Sequence, residues 1–348
     1  MTILPPSMKA ALLFFLPLAV TLASAHAEDG SVTNSITSLT RAAPGKLATQ
    51  TEIVAERGEP AMVTPSSLRA MDSAIAMYED INGRGGWPTL AKRLQKGDRS
   101  DEVVMLRQRL ANEGYLPTES LAIEAPQKFD SDVKEAVKAF QSNHGLAATG
   151  KIDDRTLAEL NIPASVRLET LRTNRPRIAA FAEGLGPRYI LVNIPSAQLE
   201  AVNFGSVYSR HNVVAGKIDR PSPALVSRVS EINFPNPYNV YLHDTPAKEL
   251  FGRNARYVSS GCIRVDQIHV LIDWIFAGQD GYDSGMIKNI ALSGERFDQP
   301  VGNPPDVRIM YLTAWATDDG RIQFRPDVYN LDHAGFVLGQ PEPQSAMN

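Results

Sequence analysis

A chain of 348 residues with 43% hydrophobic and 21% charged side chains has the make-up of globular protein and is long for one small domain. A formal net charge of −4 with no long run of Lys or Arg excludes an electrostatic footprint for nucleic acid. The six histidines show no metal-ligand spacing, so neither a metal nor another cofactor is expected.

At the N-terminus Lys9 precedes the apolar run Ala10 to Val20, and small residues follow it as far as Ala25-His26-Ala27. This is the layout of an export signal, residues 1–27, cleaved after Ala27. The apolar run is shorter than the ~20 residues that span a bilayer. The mature chain is therefore expected outside the cytoplasmic membrane and not as an integral membrane protein. Exported proteins usually pair their cysteines, and Cys262 has no partner within the chain. Either it is a small buried hydrophobe or its thiol has a chemical use.

Residues 28–62 are rich in Ser, Thr, Ala and Gly without an apolar period and read as a flexible linker. From Pro65 onward Leu68, Met71, Ile75 and Tyr78 fall on one side of a helix, which Asn82-Gly83 and Gly85-Gly86 stop. Two further amphipathic helices carry Val103, Leu106 and Leu110, then Val133, Val137 and Phe140, and leave through Gly114 and Gly145. A short helix from Asp153 to Leu160 opens on acidic residues suited to its N-terminus. Residues 63–163 are thus expected to form a small all-α domain.

From Arg188 the period shifts to short β-branched runs: Tyr189 to Ile194, Asn212 to Ala215, Asn239 to Leu242 and Ile309 to Leu312. Only Gln267 to Ala277 reads as a helix among them. Residues 164–335 are expected to form a mainly β domain, making the chain multidomain α+β, and residues 336–348 a polar tail.

The chemistry gathers in two segments. Tyr241-Leu242-His243-Asp244-Thr245 ends a predicted strand on a histidine, and Ser259-Ser260-Gly261-Cys262-Ile263-Arg264 precedes the predicted helix. A thiol near a helix N-terminus, near Arg264 and paired with a histidine, is biased towards thiolate, the nucleophile of acyl transfer. No Gly-x-Ser-x-Gly elbow occurs, and Ser259 or Ser260 is a poorer nucleophile than the adjacent thiol. His211 and His269 fall in no motif and read as surface or packing residues, and His144 as a packing or capping residue.

A histidine followed 19 positions later by the cysteine of Ser-Ser-Gly-Cys, with an arginine two residues on, resembles the L,D-transpeptidase (YkuD) family. The segments Pro235 to Pro246, Val192-Asn193-Ile194-Pro195, Val213 to Lys217, Arg220-Pro221-Ser222-Pro223 and Tyr311 to Trp315 are similar to its long periplasmic branch. Gly97-Asp98, Gly114-Tyr115-Leu116, Ala139-Phe140-Gln141 and His144-Gly145-Leu146 resemble the peptidoglycan-binding domain that often precedes it. The resemblance implies a YkuD-like β-sandwich in the periplasm. Its nucleophile would be Cys262, which forms a thioester with a peptidoglycan stem peptide, and its general base His243.

The resemblance further implies that the backbone N–H groups of Gly261 and Cys262, with Ser260, receive the oxyanion, and that Arg264 orients the loop or a substrate carboxylate. Tyr241 and Ser259 are expected to line the substrate pocket. The acyl acceptor would be a second stem, an outer-membrane protein or water, the last making a carboxypeptidase. A silent peptidoglycan-binding module is the alternative outside enzymes. The family's common Ser-His-Gly-Cys is Ser259-Ser260-Gly261-Cys262 here, which leaves the upstream histidine in place. Relatives of the long branch also carry a capping subdomain before the segment at Pro235, where only Ala224 to Phe234 stands, so the donor groove is expected to be open.

Overall fold

A computed structural model describes residues 58–234, 242–279, 282–283, 285 and 297–333. The expected export signal, the linker up to residue 57 and the polar tail lie outside the described residues.

Helix α1 (Ser67–Gly83) buries Met71, Ala74, Tyr78 and Ile81 at helical steps and ends ahead of Gly85 and Gly86, both with positive φ. Helices α2 (Asp101–Asn112), α3 (Ser131–Asn143) and α4 (Asp154–Leu160) follow. Asp130 and Asp153 cap α3 and α4 by accepting from the Val133 and Thr156 amides at 3.0 and 2.8 Å. These carboxylates satisfy donors that a helix start leaves unpaired. Val103, Leu106, Leu110, Val133, Val137, Phe140 and Leu160 form the core of this module.

The apolar face of α1 lies elsewhere. It packs on α5 (Ala164–Ala182) in a core with Tyr189, Leu191, Met310 and Trp315 of the β domain. The expectation had grouped this helix with the module. The reason is that the periodicity of a helix shows which face is buried, but not against what. Helix α5 itself was not expected. Its buried face mixes Leu168, Leu171, Ile178 and Phe181 with Arg167, Asn174 and Arg177, and Pro176 lies within it. Polar groups at core positions hide the apolar period. They are accommodated by partners: Asn174 donates to Thr313 Oγ1 at 2.7 Å and Arg177 to Asp332 at 2.6 Å.

The β domain begins with β1 (Arg188–Asn193), β2 (Gln198–Asn203), β3 (Ser206–Gly216), β4 (Leu225–Arg228), β5 (Glu231–Phe234), β6 (Leu242–His243), β7 (Tyr257–Ser259) and β8 (Ile263–Val265). Helix α6 (Ile268–Phe276), β9 (Phe297–Pro300), β10 (Asp306–Met310), β11 (Ala314–Ala316) and β12 (Ile322–Phe324) complete it. The main sheet runs β4-β10-β1-β2-β3-β8-β6, with β7 also on β3. Both faces are buried. Tyr189 and Leu191 enter the core under α1 and α5, while Ile190 and Val192 enter the one around α6. The continuous apolar run of β1 is what a strand buried on both faces requires.

One expected boundary moves. Residues 58–62, assigned to the linker, include Ala61 and Met62, which are buried. The Ala61 amide donates to Gly205 O at 3.0 Å and the Val207 amide to Glu59 O at 2.9 Å, so this segment extends the β2–β3 hairpin. Three apolar residues in extended chain are too few to show a period. The short stretch in place of a capping subdomain is also ordered: β4 lines the sheet edge on β10, and β5 pairs antiparallel with β9.

Candidate active site

Strand β3 is long enough to serve two sets of neighbours. Its first part pairs with β2, and its end lies between β8 and β7, with Val214 opposite Arg264 and Gly216 opposite Ser259. The turn beyond β3 folds back onto Gly216. A Cβ there would fall 2.3 Å from Arg220 O and 2.6 Å from Ser222 N, so only glycine permits the approach.

Ser222, almost fully buried, accepts the Gly216 amide at 2.9 Å and donates to Gly261 O at 2.8 Å. Tyr329 Oη donates to Gly216 O at 2.5 Å and accepts the Ser222 amide at 3.3 Å.

The loop that carries Cys262 is built on that support. Lys217 N–H donates to Ser259 O at 3.0 Å, and buried Ser259 Oγ donates to Cys262 O at 2.6 Å. Gly261 has φ +107°, a region L side chains rarely adopt, and its Cα faces Pro221 O. Cys262 is a free thiol and is exposed, which removes the buried-hydrophobe reading. It stands at the start of β8. The expected helix does not follow directly, because β8 intervenes and α6 begins only at Ile268. Among the described residues, no helix therefore starts directly after the thiol along the chain.

His243 closes the other flank. Its strand β6 runs parallel to β8, with Leu242 opposite Ile263 and His243 opposite Arg264. His243 Nδ1 lies 2.5 Å from Asp244 O. A carbonyl only accepts, so Nδ1 is the donor here, and in the neutral ring that tautomer leaves the lone pair on Nε2. Arg264 stands between buried Ile263 and Val265 and therefore faces away from the core around α6. Its Nη1 reaches Thr245 Oγ1 at 3.5 Å, tying β8 to the chain after β6.

Ser260 is exposed, with Arg220 Nη1 at 3.5 Å from its hydroxyl. The Gly261 amide donates to Ser259 Oγ at 3.2 Å, so the oxyanion role expected for it requires that bond to be exchanged. Tyr241 lies outside the described residues. Ser222, Tyr329 and Gly216 were not singled out from the sequence. Ser222 stands in a recognised stretch without a role attached, and Tyr329 has no local signal.

The described residues thus place an exposed free thiol and an imidazole on paired strands of a β scaffold, beside a loop that only glycine relieves. Residues 187–280 match the family described as "L,D-transpeptidase catalytic domain", YkuD, and residues 99–160 match the "Putative peptidoglycan binding domain". The chain therefore carries a YkuD-family L,D-transpeptidase catalytic domain behind a peptidoglycan-binding domain.

It is 30% identical over 138 residues to a Haemophilus influenzae protein named "Putative L,D-transpeptidase", an alignment that takes in 37% of this chain and 28% of that one. L,D-transpeptidase structures from Xylanimonas cellulosilytica and Stackebrandtia nassauensis share 17% and 15% identity. Each comparison covers 64% of this chain, and 99% and 96% of theirs, with TM-scores of 0.24 and 0.26. Among the described residues no helix is long and apolar enough to cross a membrane.

Proposed function

We propose that this protein is an exported, periplasmic cysteine L,D-transpeptidase that forms a thioester between Cys262 and a peptidoglycan stem peptide, then transfers the acyl group to an amine. The observation that carries the reading is the exposed free thiol at the head of β8, with a histidine on the paired strand β6 whose Nε2 lone pair is available. His243 takes the thiol proton through Nε2, and the thiolate attacks the carbonyl of the L,D amide.

The carbonyl π electrons move to oxygen, where the Cys262 amide, assisted from Ser260, stabilises them. Collapse expels the leaving amine, protonated by His243. A second stem's amine, deprotonated by the same ring, then attacks the thioester and releases the thiolate. Arg264 holds β8 to the His243 segment through Thr245. The helical module supplies affinity for the polymer and raises local substrate concentration without adding catalytic groups.

Incubation with purified disaccharide-tetrapeptide, read by intact mass and by product analysis, tests the reading. The wild type is expected to show an acyl-enzyme and a crosslinked dimer. Cys262→Ala is expected to lose both with its melting curve unchanged, and His243→Ala to slow acylation by about 10²–10⁴-fold. Crosslinking by Cys262→Ala would refute the mechanism. Trimmed tripeptide without dimer would make water the acceptor.

A further inference from the structure

The Gly261–Cys262 peptide is held from its carbonyl side by groups that lie outside the nucleophile motif. Two buried hydroxyls each accept one backbone amide and donate to one backbone carbonyl. Ser222 takes the Gly216 amide at 2.9 Å and gives to Gly261 O at 2.8 Å, while Tyr329 takes the Ser222 amide at 3.3 Å and gives to Gly216 O at 2.5 Å. Tyr329 is fixed in turn. Its amide donates to Tyr311 Oη at 2.7 Å, its ring stacks on Tyr311 at 5.4 Å, and Asp327 accepts from Tyr311 Oη and the Leu331 amide at 2.5 and 2.8 Å.

The Gly261 carbonyl and the Cys262 amide belong to one planar trans unit, so they point in opposite directions. With the carbonyl anchored inward on buried Ser222, the Cys262 N–H is directed outward, to the side where the Cys262 residue is exposed. Without that anchor the peptide is free to rotate, because Gly261, at φ +107°, has no Cβ to restrict it.

We propose that Ser222, backed by Tyr329, is a positioning residue that aims the Cys262 amide as the oxyanion donor. This rests on the reading of Cys262 as an acyl-forming nucleophile. The clamp acts on the carbonyl oxygen of the reacting group and not on the thiolate, so it separates two reactions of the same sulfur.

With p-nitrophenyl acetate, the thiolate adds to the carbonyl, the π pair becomes an oxyanion, and collapse forms the S–acetyl bond while expelling p-nitrophenolate. With iodoacetamide, the thiolate displaces iodide at a saturated carbon and no oxyanion arises.

The experiment measures both second-order rates against pH on the whole protein. Ser222→Ala is expected to lower acetylation at least about 10-fold, short of the 10²–10³ lost with a whole oxyanion donor. The alkylation rate and its pH midpoint should stay at wild-type values. Tyr329→Phe, which removes only a hydroxyl, is expected to act in the same sense with a smaller drop, and it carries the test if Ser222→Ala does not fold. Acetylation unchanged in the folded variant, or both rates falling together, would overturn the clamp. Wild-type acetylation that survives Cys262→Ala would instead overturn the nucleophile reading on which it rests.

Discussion

Gly216 shows how a residue without a side chain can decide the geometry of the site. Its Cα position leaves a Cβ 2.3 Å from Arg220 O, a contact with backbone that no rotamer change relieves. Gly216→Ala is expected to cost about 1–3 kcal/mol by overpacking, measured by urea denaturation. Because the displaced turn carries Ser222, it should also slow acylation. An alanine variant with wild-type stability and rate would show that the turn shifts freely.

At this scale the sequence was informative wherever chemistry demands a residue type. A lone cysteine after a glycine, in a chain whose N-terminus reads as an export signal, has few uses, and His243 becomes the candidate once a base is sought. It was silent where the requirement is set by a neighbour far along the chain. Ser222 bonds across 39 positions to Gly261, and Tyr329 across 113 to Gly216.

Between elements, the pairing of α1 with α5 extends the catalytic core towards the N-terminus. Leu171 is fully buried in the same cluster as Met71 of α1, Leu191 of β1 and Trp315 of β11. Leu171→Ala is expected to destabilise by about 2–5 kcal/mol, the transfer and cavity cost of a buried leucine. The whole loss should appear in the unfolding transition of the β domain, followed by tryptophan fluorescence. A shift confined to a separate transition of the helical module would place α1 and α5 outside this core. Strand β1 and helix α6 were legible because their apolar patterns are not broken by polar core residues, β1 lying between two cores and α6 against one of them. Helix α5 was not, since its core residues Asn174 and Arg177 take Thr313 and Asp332 among their partners, groups from the other end of the chain.

Across the whole molecule, the helical module is joined to the β domain through a buried histidine. His144 ends α3, donates from Nδ1 to Phe140 O at 2.8 Å, and stacks between Phe140 and Phe324 of β12 at 3.8 and 5.4 Å. Beside it, Arg325 Nη1 donates to Asn143 O at 2.8 Å and Gln323 to Asn143 Oδ1 at 3.2 Å. Burial, reinforced by the charge of Arg167, pushes the His144 imidazole well below its ordinary range. The folded state keeps it neutral, while the unfolded chain takes up a proton near pH 6.5, on the order of an unperturbed imidazole.

Its stabilising contribution is therefore complete above that pH and is lost as pH falls below it. His144→Phe is expected to flatten the decline of the melting temperature between about pH 7 and pH 5. Buried His211, pushed down mainly by desolvation, acts with the same sign and keeps some slope. An unchanged slope would refute the assignment to His144.

The sequence by itself determined the helical module and the central strands and singled out Cys262 and His243 as candidates, because local periodicity and residue chemistry act over a few positions and need no partner to be read. Only the tertiary structure decided which core α1 joins, that the segment around residues 59–61 extends a hairpin, and that the Gly261–Cys262 peptide is clamped from behind by Ser222 and Tyr329. Each of these depends on contacts between segments far apart along the chain. Such contacts leave no local pattern, since any residue with a hydroxyl or a methyl of the right size satisfies them once the chain has folded.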